Sequence, residues 1–265
     1  MGPNQGRAMT TLHFQKFGQG NQKLIILHGL FGSGDNWRSL TQKYLAEQFE
    51  VYLVDQRNHG KSFHHPSHSY HDLATDVVEL MDRSALQTAS VIGHSMGGKT
   101  AMTLTALAPE RIEKLLVADI APKSYRHSHG EIIEAMKALP VGSATSRKEL
   151  ESFMMARLPD PMLRGFLLKS VERTSDGTYR WKINIPAIEA NYEELIGWNK
   201  SLQAITTPTL FVAGGASKYI VQADHTEIVE QFPNSTLREI PGAGHWLHYQ
   251  APKEFVAEIL EFMSS

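Results

Sequence analysis

Short, nearly uninterrupted apolar runs recur along the chain at Leu24 to Leu27, Val51 to Val54, Ser90 to Ile92, Leu115 to Ala118 and Leu210 to Ala213. Runs this short, apolar at nearly every position, predict strands of a parallel sheet whose two faces are both covered by helices. Between the second and third runs, Tyr70, Leu73, Val77, Leu80 and Met81 fall on one helical stripe. Phe255, Val256, Ile259, Leu260 and Met263 do the same after Pro252, a favourable first-turn residue. Strand and helix therefore alternate, which predicts an α/β fold with a mostly parallel, twisted sheet and crossover helices on both sides.

The strand rhythm stops at about Pro122 and returns at Pro208. In the interval Ser128 with Glu131, and Ser146 with Glu149, have the spacing of capping boxes and are followed by apolar residues at helical intervals. Residues 122–204 are thus expected to form a mainly helical lid inserted into a core domain made of 10–121 and 205–265.

With 265 residues, 42% of them hydrophobic and 20% charged, the chain has the composition of one large globular domain. A net charge of -2 supplies no positive field for nucleic acid or an anionic membrane, so the expected partner is a small molecule. The absence of cysteine excludes a thiol nucleophile, thiolate metal sites and disulfides. No apolar run approaches the roughly 18 residues needed to span a bilayer, and Met1 to Thr10 lack an apolar stretch of signal-peptide length, so a cytoplasmic protein is expected. Met1 to Ala8 read either as a vector-derived leader before Met9 or as a loose native terminus. His64, His65, His68 and His71 read as a solvated loop, because no carboxylates accompany them as metal ligands would require.

The chemistry centres on Gly93-His94-Ser95-Met96-Gly97, which follows the strand Ser90 to Ile92 and precedes the helix-forming stretch Lys99 to Leu107. In a nucleophile elbow the serine sits on a strained strand-to-helix turn that lifts its hydroxyl clear of the sheet, and the positions two residues either side must be minimal. Both are glycine. A serine hydroxyl needs a base, and of thirteen histidines His245 in Gly242-Ala243-Gly244-His245-Trp246 is best placed, late in the chain and after the strand-like Thr236 to Ile240. His28-Gly29-Leu30-Phe31-Gly32 leaves the first apolar strand as a tight turn. Its Leu30 N–H, with Phe31 N–H as the alternative, and the Met96 N–H after the nucleophile are the expected oxyanion donors. Phe31 and Trp246, beside these groups, are the expected substrate-contacting side chains.

These segments, with Asp55 to Ser62 and Asp119-Ile120-Ala121-Pro122, together resemble the α/β-hydrolase family, closest to the bacterial YbfF-type esterases, over nearly the whole chain. The resemblance implies an esterase or thioesterase with a lid and no cofactor or metal, the Asp55 to Ser62 turn being mainly structural. Many relatives carry the acid that orients the base just after the strand matching Leu210 to Ala213, but here that position is Ser217. Asp224 and Glu227 come next, in a helical register that carries them away. Asp119, ending the strand beside the nucleophile strand, can reach the same histidine, and the resemblance implies this position as acid with Ser217 as a hydrogen-bond partner of His245. Capping of the turn before Pro122 is the alternative for Asp119, and an ordinary turn residue the alternative for Ser217.

Met136, Phe153, Met154, Met155, Leu158, Phe166 and Leu167 of the lid collectively favour an apolar acyl pocket. Lys123, Arg126, His127 and His129 are candidates to attract an anionic leaving group, which would suit an acyl thioester as well as an ester. A carbon–carbon bond hydrolase, lyase or perhydrolase on the same three residues, or a relative that binds ligands without turnover, stays open at this point.

Overall fold

Successive side chains of a strand point to opposite faces, so a strand apolar at every position needs two apolar partners. The computed structural model, which describes residues 11–199 and 202–265, supplies both. The reading of Met1 to Ala8 falls outside these described residues.

The main sheet contains β1 (Phe14–Phe17), β2 (Gln22–Leu27), β3 (Phe49–Val54), β4 (Ala89–His94), β5 (Ile112–Ala118), β8 (Thr209–Gly214) and β9 (Ser235–Ile240), in spatial order β1-β3-β2-β4-β5-β8-β9. All neighbouring pairs are parallel except β1 with β3. After the short α1 (Arg38–Leu40), the helices α2 (Tyr70–Arg83) and α3 (Met96–Leu107) cover one face. There Val77 and Met81 of α2 and Met102 of α3 pack on Ile25, Leu27, Val91 and Val117. On the other face Leu24, Ile26, Ile92 and Leu116 meet Trp37 and the C-terminal helix, through Phe255, Val256 and Ile259. The predicted strands are all present, each extended by one to three residues. The edge strand β1 escaped prediction because its residues are only partly buried and carry no apolar run.

Between β5 and β8 the chain leaves the sheet. It forms α4 (Gly130–Ala138), α5 (Arg147–Met155), α6 (Pro161–Leu168), the hairpin β6 (Val171–Arg173) and β7 (Tyr179–Trp181), α7 (Ile185–Ala190) and α8 (Tyr192–Ile196). Its apolar cluster, which includes Met136, Met154, Leu158 and Leu167, also takes in Phe31 and Met96 from the sheet-edge loops. Ser146 caps α5 by accepting the Glu149 N–H at 3.2 Å, as its spacing predicts. Ser128 does not cap: α4 starts one residue later, with His129 at its N-cap and the Ser128 hydroxyl turned to the His129 ring. The chain closes with α9 (His225–Gln231), α10 (Leu247–Gln250) and α11 (Pro252–Ser264). Among the described residues no helix is long and apolar enough to cross a membrane.

The order of strands reverses between β2 and β4, where β2 connects outward to β3 on one side and β4 continues to β5 on the other. The crevice at such a reversal, outside the carboxyl ends of the strands, is where open α/β sheets bind ligands. Here it is bordered by the His28 to Gly32 turn and by Ser95.

Candidate active site

Four consecutive strand ends build the site. Ser95 follows β4, Asp119 follows β5, Ser217 lies just beyond β8, and His245 lies on the loop beyond β9. Ser95 has φ 53° and ψ -118°, and its N–H donates to Ala118 O at 3.0 Å. Such a conformation costs a non-glycine residue on the order of 1–3 kcal/mol and persists only where the surroundings enforce it. Here the enforcement is steric and specific to the two glycines: a Cβ on Gly93 would lie 2.2 Å from Gly97 O, and one on Gly97 would lie 2.3 Å from Leu27 O.

Asp119 is the second non-glycine residue of the site with positive φ, at 51°. Its N–H is held by Val212 O at 2.9 Å, and its carboxylate is fully buried. A buried carboxylate must have its lone pairs satisfied. Oδ1 accepts from the Gly214 N–H at 3.0 Å, while Oδ2 accepts from Ser217 Oγ at 2.5 Å and from His245 Nδ1 at 2.7 Å. Because a carboxylate only accepts, His245 carries its proton on Nδ1, and Nε2 is left with its lone pair as a base requires. Ser217 thus reaches His245 through the carboxylate rather than bonding it directly, which differs from the expectation. Asp224, the acid set aside on register, pairs with Lys123 at 2.6 Å instead.

The His245 ring is sandwiched by two contacts that no local pattern announces. Tyr219 stacks on it with ring centroids 3.8 Å apart and planes within 16°. The Tyr219 backbone is fixed in turn, its N–H donating to Ser217 Oγ and its carbonyl accepting from Tyr125 Oη at 2.6 Å. On another side lies His94, whose Nε2 meets the His245 carbonyl at 2.7 Å. A carbonyl only accepts, so His94 carries its proton on Nε2, and complete burial holds its pKa well below the usual imidazole range.

The turn from His28 to Gly32 rests on two more buried histidines. Phe31, at φ 64°, donates its N–H to His59 Nε2 at 3.2 Å, while His59 Nδ1 donates to Arg57 O at 2.9 Å. His28 is arranged alike: its Nε2 accepts from the Gln56 N–H at 3.1 Å and its Nδ1 donates to Gly29 O at 2.8 Å. Each ring accepts with one nitrogen and donates with the other, a pattern only the neutral imidazole can satisfy. Burial lowers the pKa of His28 to about 4 and that of His59 to about 3. With the Phe31 N–H engaged, Leu30 is the better of the two expected first donors.

Ser95, His245 and Trp246 line one narrow cavity of about 50 Å³, together with Leu30 and Phe166. A second cavity of about 40 Å³ runs from Ser95 and Met96 toward Lys99 and Tyr192. Leu30 and His129 border both. Phe31 borders neither: its side chain is 2% exposed and belongs to the apolar cluster of the helical insertion. Of the insertion's expected pocket residues only Phe166 reaches a cavity beside Ser95, through its contact with Trp246; Met136, Met154, Leu158 and Leu167 fill the insertion's own core, and Met155 is exposed.

Of the expected cationic run, Lys123 pairs with Asp224, and His127 pairs with Glu193 on the surface. His129 is kept uncharged, burial and then the charge of His245 lowering its pKa to about 4. Of the four clustered histidines, His68 is buried rather than solvated: Asn58 Nδ2 meets its Nδ1 at 3.1 Å, and burial lowers its pKa to about 2. His68 thereby helps hold the Asp55 to Ser62 turn, where Arg57 also pairs with Asp76 at 2.6 Å. Among the described residues no group of three or more His, Cys, Asp or Glu side chains is arranged to hold a metal ion.

Comparison with known proteins agrees with this fold. Residues 23–252 match the family model described as alpha/beta hydrolase fold. The chain is 37% identical to Esterase YbfF of Escherichia coli, covering 92% of this chain and 94% of that protein. It is 35% identical to the sn-1-specific diacylglycerol lipase ABHD11 of Danio rerio, over 91% of this chain and 78% of the relative. A solved structure described as a marine microorganism esterase superposes with a TM-score of 0.93 at 46% identity, covering 96% of this chain and 99% of that one.

Proposed function

This chain belongs to the α/β-hydrolase family, and from that premise we propose that Ser95, His245 and Asp119 hydrolyse carboxylic esters through a covalent acyl-enzyme. That it is a carboxylic ester hydrolase is established by relatives named as esterases over nearly its full length. The assignment of roles rests above all on one observation: a fully buried carboxylate 2.7 Å from Nδ1 of the imidazole that shares a cavity with the strained serine.

In this reading Ser95 Oγ attacks the acyl carbon while its proton passes to His245 Nε2. Asp119 holds the tautomer and stabilises the imidazolium that forms, with Ser217 and the Gly214 N–H anchoring the carboxylate. The Leu30 and Met96 N–H groups receive the negative charge that develops on the carbonyl oxygen. Collapse of the tetrahedral intermediate expels the alkoxide or thiolate, which takes the proton from His245, and leaves the acyl group on Ser95. Water then attacks the acyl carbon, giving its proton to His245, and the second tetrahedral intermediate releases the carboxylic acid and restores Ser95.

The helical segment 122–204 acts as a cap on the core formed by 10–121 and 205–265: it lays Phe166 beside Trp246 and closes the second cavity with Tyr192. The partner is a small acyl ester or thioester, with no nucleic acid involved, and the protein works in the cytoplasm. Covalent labelling tests the reading directly. A fluorophosphonate is expected to label the enzyme stoichiometrically at Ser95, and Ser95→Ala is expected to abolish both labelling and hydrolysis of a neutral aryl ester. Labelling elsewhere, or turnover surviving in Ser95→Ala, would remove Ser95 as nucleophile.

A further inference from the structure

One helical turn beyond Ser95 stands a charge that the reaction does not use. Lys99 is 1% exposed, and its backbone N–H donates to Ser95 O at 3.1 Å. Its Nζ donates to the carbonyls of Ile196 at 3.1 Å and Gly197 at 2.6 Å, at the C-terminal end of α8, and lies 4.9 Å from the Tyr125 ring centroid and 5.6 Å from that of Tyr70. An ammonium has three N–H donors, and these two carbonyls occupy two of them. Among the described residues no carboxylate pairs with Lys99, and Lys123, the cation whose charge acts on it, has its own partner in Asp224. Burial, and secondarily the charge of Lys123, lowers the Lys99 pKa to about 7.

Burial penalises an ammonium, and the two neutral carbonyls of Ile196 and Gly197 supply hydrogen bonds without supplying the opposite charge that would balance it. The charge is placed where a ligand can meet it, because Lys99 and Ser95 line the same second cavity. The cavity that Ser95 and Lys99 share has a volume of only about 40 Å³, so an acyl chain that starts at Ser95 and ends at Lys99 is short.

We propose that the second cavity is an acyl pocket for dicarboxylic half-esters or half-thioesters of about succinyl to glutaryl length, with the distal carboxylate paired to Lys99. The ester reading above is its premise. The bound carboxylate takes the third N–H of the ammonium and completes the charge balance of the pocket, while Ile196 and Gly197 hold the lysine in place.

The test compares monophenyl succinate and monophenyl glutarate with phenyl butanoate and phenyl pentanoate, their neutral counterparts, in the native enzyme and in Lys99→Met. The native enzyme is expected to favour the half-esters at least about tenfold in kcat/KM, and the ratio of half-ester to neutral ester is expected to fall on the order of 100-fold in Lys99→Met, equivalent to about 2.7 kcal/mol. Should Lys99→Met not fold, the native enzyme suffices: glutaramate is expected to slow fluorophosphonate labelling of Ser95 at concentrations where pentanamide does not. A native preference for the neutral esters, an unchanged ratio in Lys99→Met, or equal protection by the two amides would overturn the proposal and leave Lys99 as an anchor of the cap. Failure of Ser95 to label at all would instead overturn the ester reading, so the two failures are distinguishable.

Discussion

Replacing Asp119 by asparagine changes one atom of a fully buried side chain, and the surrounding hydrogen bonds dictate how the site responds. The Gly214 N–H, 3.0 Å from Oδ1, can only donate, so the new amide must keep its oxygen there and turn its NH2 toward Ser217 and His245. Ser217 Oγ can rotate to accept. The imidazole cannot keep its proton on Nδ1 against an N–H donor 2.7 Å away, so it takes the other tautomer, with the proton on Nε2, the nitrogen proposed to act as base. A base already protonated on that nitrogen cannot accept the serine proton. The same aspartate-to-asparagine exchange in a serine protease lowers kcat about 10⁴-fold, equivalent to about 5 kcal/mol of transition-state stabilisation. A loss of that order is expected here for phenyl butanoate hydrolysis, read as kcat under saturating substrate beside the initial rate of fluorophosphonate labelling. The melting temperature and far-ultraviolet circular dichroism should stay near those of the parent, since volume and hydrogen-bond count are conserved. A folded Asp119→Asn enzyme with kcat within a few-fold of the parent would contradict the tautomer assignment, and Asp119 would then be a carboxylate that merely ties β5 to the Gly214 turn.

The packing around the site makes two further outcomes testable. Tyr219→Leu removes the stack on His245; with such contacts worth about 0.5–1.5 kcal/mol, kcat should fall on the order of tenfold, whereas Tyr219→Phe keeps the ring and should retain most activity. Equal rates for the two variants would show that the ring does not position the base. Stability should also fall in mild acid: the folded pKa values of His28 and His59, about 4 and 3, lie below the unfolded value near 6.5, so the unfolded chain binds more protons between them. The stabilisation is fully present above about pH 6.5 and declines toward pH 4, by up to about 1.4 kcal/mol per pH unit for each such histidine. Urea midpoints at pH 7, 6 and 5, above the range where carboxylates titrate, read this directly, and midpoints that do not move would contradict neutral histidines beneath the His28 to Gly32 turn.

How far each feature could be read in the sequence depends on the range of the interactions that create it. The strands and the helices flanking them are legible because burial on both faces forces an apolar residue at every position, and helix faces force an interval of three or four. The elbow is legible because its glycine spacing is a short motif: Gly93 answers a clash with Gly97 O inside the elbow, although the clash that requires Gly97 is with Leu27 O on the distant strand β2. The Ser128 cap fails for the opposite reason: the right spacing is present, but the Ser128 hydroxyl turns to the His129 ring and the helix begins a residue later.

Beyond that range the chain's pattern specifies residue types without their partners. It supplied Ser95, His245 and the oxyanion turn in the order this fold uses, and resemblance pointed to Asp119. Folding alone decided that Ser217 bonds Asp119, across 98 positions, and not His245. The stack of Tyr219 on His245, the burial of His68 and the seat of Lys99 against the end of α8 were decided in the same way. One local signal was there to be read: Lys99 is the sole charged residue in the helix Met96–Leu107. Its meaning was not, because the carbonyls that hold it lie 97 and 98 residues further on, and sequence periodicity carries no information about which distant segment a side chain will face.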